Sequence, residues 1–278
     1  MILDTHQHFW NPDRGDYHWM TQDVPVLARD YLPDHLRPEL RKAGVNQTIL
    51  VQAAQTAAET DFLLKIAEET DFVAGVIGWL DLEDENFPAV FEQKQTRHPK
   101  LIGVRPMLQD LPDDRWITRT EVIKNLTYLA SRKIVFEFLT YTRHLPFVLQ
   151  VLDQVPGLHA VVDHISKPEI KTGKLEPWKD LMSRVARHEN VFCKLSGMVT
   201  EADHNGWRPD HLRPYIEHVL DSFGEDRVMF GSDWPVCLLA ASYAEVINAL
   251  RTVVADRLSP NGLTKLFSDN GRGFYGIQ

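Results

Sequence analysis

Cysteine is scarce: only Cys193 and Cys237 occur in 278 residues. Two thiols cannot build a disulfide framework, so a reduced, cytoplasmic setting is the expectation. Cys193 alternates with Lys194 in an apolar run and reads as a small buried hydrophobe. No apolar run approaches the ~20 residues of a membrane-spanning helix. The charged, apolar and small-residue series of a signal peptide is missing too, because strand-like sequence begins at Ile2. There is no basic surplus: 30 Lys+Arg face 39 Asp+Glu, a formal charge of -9. With nothing to replace counterions, neither nucleic acid nor an anionic membrane is expected as the main partner. No Gly/Ser linker or shift in composition divides the chain, and no Gly-x-Gly-x-x-Gly turn follows an apolar run. The second absence argues against a doubly wound nucleotide-binding fold.

What the chain does have is alternation. Short runs rich in Val, Ile and Phe fall at 2–6, 47–52, 72–79, 101–105, 133–138, 159–164, 190–196 and 227–231. Amphipathic segments with apolar spacings of three and four lie between and after them, at 32–43, 57–69, 87–97, 116–131, 145–154, 178–187, 209–223 and 243–254. Strand–helix repetition implies a parallel sheet, and eight repeats within 278 residues imply one α/β domain, a (β/α)8 TIM-type barrel over 1–278. The segment 9–31 breaks the rhythm. It is long and aromatic, "FWNPDRGDYHWMTQDVPVLARDY", and is expected to lie over the C-terminal face.

In such barrels the reacting groups come from the strand C-termini. Here those ends are polar, whereas the strand beginnings are apolar. They include His6 and His8, Gln52, Asp81, Arg105, Glu137, Asp163 and His164, Lys194 and Ser196, and Ser232 and Asp233. In "ILDTHQHFW" the residues Asp4, His6 and His8 share one parity, so on a regular strand all three face the barrel mouth. With His164 and Asp233 converging from later strands, His6 and His8 could hold one ion at most, zinc first by ligand type. The same four could also work without metal, Asp233 as general base for water and the histidines polarising a carbonyl. A lone histidine at a strand end is more often structural; two on one face, opposite Asp233, favour chemistry.

Lys194 is costly to bury alone, so it should meet a carboxylate or an anionic ligand. Arg105 and Glu137 can serve the substrate or simply form ion pairs inside the rim. Trp19, Trp207 and Trp234 sit on rim loops and suit the C–H faces of a substrate ring. His204, after the seventh strand, is a weaker contact candidate.

"DTHQHFW", "VDHISKP", "CKLSGMVTEAD" and "MFGSDWPV" together resemble the amidohydrolase superfamily, more narrowly its sugar-lactonase branch of the fuconolactonase and rhamnonolactonase type. "GDYHWM", "RDYLPDHLRPEL", "GVIGWLDL" and "GVRPMLQ" fit the same branch, in order, along nearly the whole chain. The resemblance implies a barrel that hydrolyses a cyclic ester. It matches His6 and His8 to the strand-1 pair, His164 to a later histidine and Asp233 to the strand-8 aspartate. Binuclear members add a bridging residue and two later histidines, whereas strand 7 here offers Lys194.

The expected function is therefore a hydrolase opening a sugar-derived lactone, an aldonolactone of the fuconolactone kind, to its hydroxy acid. Asp233 and His164 are the catalytic pair, and His6, His8, Arg105, Lys194 and Glu137 lie at the substrate. A divalent cofactor and a metal-independent route both stay open. Metal-dependent decarboxylation of an aromatic acid, or hydrolysis of an anionic aromatic or pyrone lactone, are the alternatives. The expected partner is a small lactone, and an oligomer is allowed.

Overall fold

The computed structural model describes residues 1–21 and 24–278. Eight strands run β1 (Leu3–Gln7), β2 (Gln47–Val51), β3 (Val73–Gly78), β4 (Leu101–Val104), β5 (Val135–Phe138), β6 (Ala160–Val162), β7 (Val191–Leu195) and β8 (Val228–Phe230). They form one sheet in chain order, each parallel to the next. The last meets the first just beyond β8, where Gln7 bridges Trp234. Here the His8 N–H donates to Trp234 O at 2.8 Å and the Asp233 N–H to His6 O at 2.8 Å. The expected (β/α)8 barrel is what the chain forms.

Helices α1 (Pro33–Ala43), α2 (Ala57–Glu69), α3 (Phe87–Arg97), α4 (Thr120–Arg132), α5 (Leu145–Gln154), α6 (Trp178–Val185), α7 (Pro209–Phe223) and α8 (Tyr243–Val254) surround it. Local chemistry sets several boundaries. Thr56 caps α2 by accepting from the Glu59 N–H, and Ser242 and Glu245 form a reciprocal box at the start of α8. The expected 116–131 helix splits, because Arg119 is extended between a 3-10 turn at Trp116–Thr118 and α4. Among the described residues no helix is long and apolar enough to cross a membrane.

Strand alternation makes two cores. In β5, Val135 faces the barrel interior with Leu3, Ile49, Val51, Ile77, Val161 and Met229, while Phe136 and Phe138 join the layer beneath the helices. Cys193 lies in that outer layer, buried as expected. The interior also contains Phe274 and Tyr275, which the strand–helix rhythm does not anticipate. They end a tail of α9 (Pro260–Thr264), a π-turn at Lys265–Asp269 and α10 (Asn270–Tyr275). Asn270 Nδ2 donates to Val228 O at 2.7 Å, and Gly271 lies so close that a Cβ there would stand 2.7 Å from Thr5 Cγ2. The tail thereby seals the end of the barrel where the strands begin.

One strand departs from regular alternation, and the site depends on it. Asp4 pairs with Thr48 but Gln7 pairs with Leu50, so β1 carries an extra residue between them. A bulge of this kind re-aims side chains. Leu3 faces inward, Asp4 faces outward to the Tyr243 hydroxyl at 2.9 Å, and His6 faces inward again. The expectation that Asp4 shares a face with His6 and His8 is therefore corrected: the bulge separates them.

Around the mouth, Trp10 pairs with Tyr31 and its indole donates to Leu27 O at 3.1 Å. The Tyr17 hydroxyl donates to Glu59 Oε2 at 2.7 Å, and the Ala53 N–H donates to Glu59 Oε1 at 3.1 Å. Burial pushes the Glu59 carboxyl up to about 7 from 4.5. Between these values the folded chain binds a proton that the unfolded chain releases, so this contribution to stability fades as pH rises. The urea-midpoint difference between wild type and E59Q should therefore shift against wild type from about pH 4.5 to about pH 8. A difference independent of pH overturns this assignment.

Candidate active site

A cavity of about 180 Å³ opens at the strand C-termini. Its lining combines polar residues, His8, Arg105, Gln109, His164, Lys167 and Asp233, with apolar ones that include Trp19, Leu27, Met107, Leu139 and Leu239. A larger groove of about 670 Å³ lies at the opposite end, beside α3, α4 and α10, far from these groups.

Four side chains converge at the cavity. His6 Nε2 and His8 Nε2 are 3.2 Å apart. Asp233 Oδ1 lies 3.4 Å from His8 Nε2, 3.7 Å from His164 Nε2 and 3.8 Å from His6 Nε2. Zinc bonds of about 2.0–2.1 Å in a tetrahedron would set ligands roughly 3.3–3.4 Å apart. The donor types and their spacing thus fit one divalent cation, as the grouping of His6, His8 and Asp233 indicates.

Burial pushes His6 and His164 well below the usual imidazole value, and the Lys194 ammonium lowers His6 further. Burial lowers His8 as well. All three are therefore neutral near pH 7. His8 Nδ1 donates to Val51 O at 2.8 Å, since a carbonyl can only accept, which leaves its Nε2 as the lone pair. Burial alone would raise Asp233. His164, His8 and Lys167 outweigh it and hold the carboxyl below its ordinary value, so Asp233 is ionised.

The backbone that presents these groups is strained. His164, Ile165, Ser166 and Lys167 have φ of 51°, 49°, 59° and 46°, and Asp233 has 58°. Left-handed conformation costs a non-glycine residue about 1–2 kcal/mol. Neighbouring bonds hold the 164–167 turn: Trp178 Nε1 donates to Ile165 O at 2.6 Å, and Ser166 and Thr140 hydroxyls pair at 2.8 Å. His164 Nδ1 meets Ser196 Oγ at 2.8 Å. Its ring also lies against Gly197, where a Cβ would come within 2.6 Å of it. Such strain concentrates at functional positions.

Beneath the cavity lies a floor of buried charge. Arg105 Nη1 donates to Asp163 Oδ2 at 3.0 Å and lies 3.2 Å from His6 Nε2. Lys194 Nζ donates to Glu137 Oε1 at 2.7 Å and stands 3.1 Å from Asp163 Oδ1. The Tyr275 hydroxyl donates to the same Glu137 oxygen at 2.6 Å. Burial and Asp163 push Glu137 up to about 7 against the pull of Lys194.

The structure therefore brings His6, His8, His164, Asp233 and Arg105 together and sets Trp19 in the cavity wall. Five of the expected contacts, the weaker candidate His204 among them, lie elsewhere. Lys194 and Glu137 are fully buried below His6, because each needs the other's charge. Trp234 packs edge-on against Tyr31 and Phe9, outside the cavity. Trp207 turns its indole N–H to Ala240 O, and exposed His204 pairs with Thr200 O. Lys167 is a charged cavity residue absent from the sequence-based candidates, although it stands inside "VDHISKP". Only the left-handed turn brings it beside His164.

The amidohydrolase family profile matches residues 3–277. An L-fucono-1,5-lactonase of Burkholderia ambifaria is 40% identical over 99% of this chain and 95% of its own length. An L-fucono-1,5-lactonase of Burkholderia multivorans is 36% identical over 99% and 96%. Among solved structures, a Burkholderia multivorans amidohydrolase with bound zinc superposes at a TM-score of 0.95, with 35% identity and full coverage of both chains. With its ordered motifs, its barrel and these full-length matches, the chain belongs to the amidohydrolase family.

Proposed function

We propose that this chain hydrolyses a sugar-derived lactone to its hydroxy acid, with L-fucono-1,5-lactone as the first substrate to test. The names of the relatives that match over the full length support lactone hydrolysis. They do not favour the decarboxylase or pyrone readings. The observation that carries the chemistry is an ionised Asp233 among three neutral histidines on the wall of a cavity that also holds Arg105 and Lys167.

Asp233 takes a proton from water as the water oxygen attacks the ring carbonyl carbon. Negative charge gathers on the former carbonyl oxygen, and the Arg105 and Lys167 cations balance it. Collapse then breaks the ring C–O bond, and Asp233 returns the proton to the leaving oxygen. His164, fixed by Ser196, orients the water. The Trp19 indole donates to Ala53 O at 2.7 Å, so its ring is a rigid wall for the C–H face of the sugar. His6, His8 and Asp233 would hold one divalent ion, with His164 Nε2 beside the same carboxylate at 3.7 Å, and zinc comes first by donor type and by the zinc of the Burkholderia multivorans structure. When bound, such an ion would polarise the carbonyl and lower the pKa of water.

A panel of aldonolactones followed by a pH indicator, with and without chelator, tests substrate and metal need together. D233N is expected to fold and to lose about 10²–10⁴-fold in kcat with little change in KM. Lactone opening at the native rate in a folded D233N protein overturns the proposal. G197A is expected to cost about 10²-fold in kcat, because the new methyl displaces the His164 ring. Native kcat in G197A would remove His164 from the mechanism.

A further inference from the structure

His6 has donors on both sides, and that constrains where its one proton can sit. A neutral imidazole offers one N–H and one lone pair, whereas an ammonium or guanidinium only donates. Lys194 Nζ lies 3.1 Å from His6 Nδ1. The acceptor that an Nδ1–H would need, Asp163 Oδ1, is 3.5 Å away and already faces Lys194 at 3.1 Å. At the other edge, His6 Nε2 faces His8 Nε2 at 3.2 Å. His8 spends its own proton on Val51 O, so its Nε2 needs a donor. Arg105 Nη1 also approaches His6 Nε2 at 3.2 Å, but it has a closer acceptor in Asp163 Oδ2 at 3.0 Å.

Two arrangements follow. With the proton on His6 Nε2, three contacts pair a donor with an acceptor: Lys194 to His6 Nδ1, His6 Nε2–H to His8 Nε2, and His8 Nδ1–H to Val51 O; Arg105 at His6 Nε2 and Asp233 Oδ1, 3.4 Å from His8 Nε2, are the contacts it leaves unmatched. With the proton on Nδ1, two N–H groups oppose each other at Lys194, and two bare lone pairs face each other between His6 and His8. A divalent cation needs that second arrangement, since it takes its ligands as lone pairs.

We infer that Lys194 is a positioning residue that holds His6 in its Nε2-protonated form, so that a divalent cation enters only by displacing the proton His6 and His8 share. Lys194 thereby keeps the cation affinity of the site low and leaves a metal-free state in which His6 and His8 are hydrogen-bonded to each other. The carboxylates that hold Lys194 in place, Glu137 and Asp163, act on the histidine pair through it. The inference does not depend on which lactone is the substrate.

Nitrogen-15 NMR of histidine-labelled, zinc-free wild type reads the tautomers directly. The expected result is His6 protonated on Nε2 and His8 on Nδ1; His6 protonated on Nδ1 overturns the inference. The affinity for Zn²⁺, measured by competition with a chromophoric chelator, is expected to rise about 10–100-fold in K194M. Equal or weaker zinc binding by a folded K194M protein also overturns it. Should K194M fail to fold because Glu137 and Asp163 lose their partner, the wild-type tautomers decide.

Discussion

Everything at this site depends on the meeting of the first strand with the last. One carboxylate stitches that seam: Asp4 Oδ1 accepts from the Ser232 N–H at 2.8 Å and the His6 N–H at 3.1 Å, while Oδ2 accepts from Tyr243 at 2.9 Å. The bulge in β1 turns Asp4 outward to make these bonds, and the same bulge turns His6 inward. Backbone bonds from His8 to Trp234 and from Asp233 to His6 then bring the two ends of the chain into register. Without this seam the histidines of β1 would have no aspartate across from them.

Two opposing demands meet above and below that seam. Above it, left-handed residues at 164–167 and 233 hold His164, Lys167 and Asp233 in place at the expense of stability. Below it, Arg105, Lys194, Asp163 and Glu137 are buried, which is tolerable only because each charge has an opposite charge in contact. The outer apolar layer, rich in Phe, Leu and Val, supplies the stability that lets both persist. Rigid walls and fixed dipoles are what a small hydrolytic site needs, because they need not reorganise during reaction.

The barrel was legible because its signal is repetitive: five helices, α2, α3, α5, α7 and α8, have the bounds that their apolar spacing predicts. The histidine–aspartate grouping was legible because strand ends in a parallel barrel converge. Other features were not, each for a physical reason. The β1 bulge leaves no mark in "ILDTHQHFW", since it depends on pairing with β2. Lys167 reaches the cavity through a turn with no glycine in it, and glycine is the residue that usually announces such a turn. Lys194 and Glu137 read as substrate contacts because alternation gives a side chain's face but not its depth. The tail carrying Tyr275 follows the eighth repeat, so nothing in the rhythm places it inside the barrel.

That tail has a consequence for assembly. Tyr275 bonds Glu137, Glu137 bonds Lys194 and Lys194 bonds His6, so residues from the two ends of the chain belong to one line of contacts. The charged floor is incomplete until the last helix arrives. The chemistry at the mouth of the barrel is thereby tied to a helix packed against its opposite end.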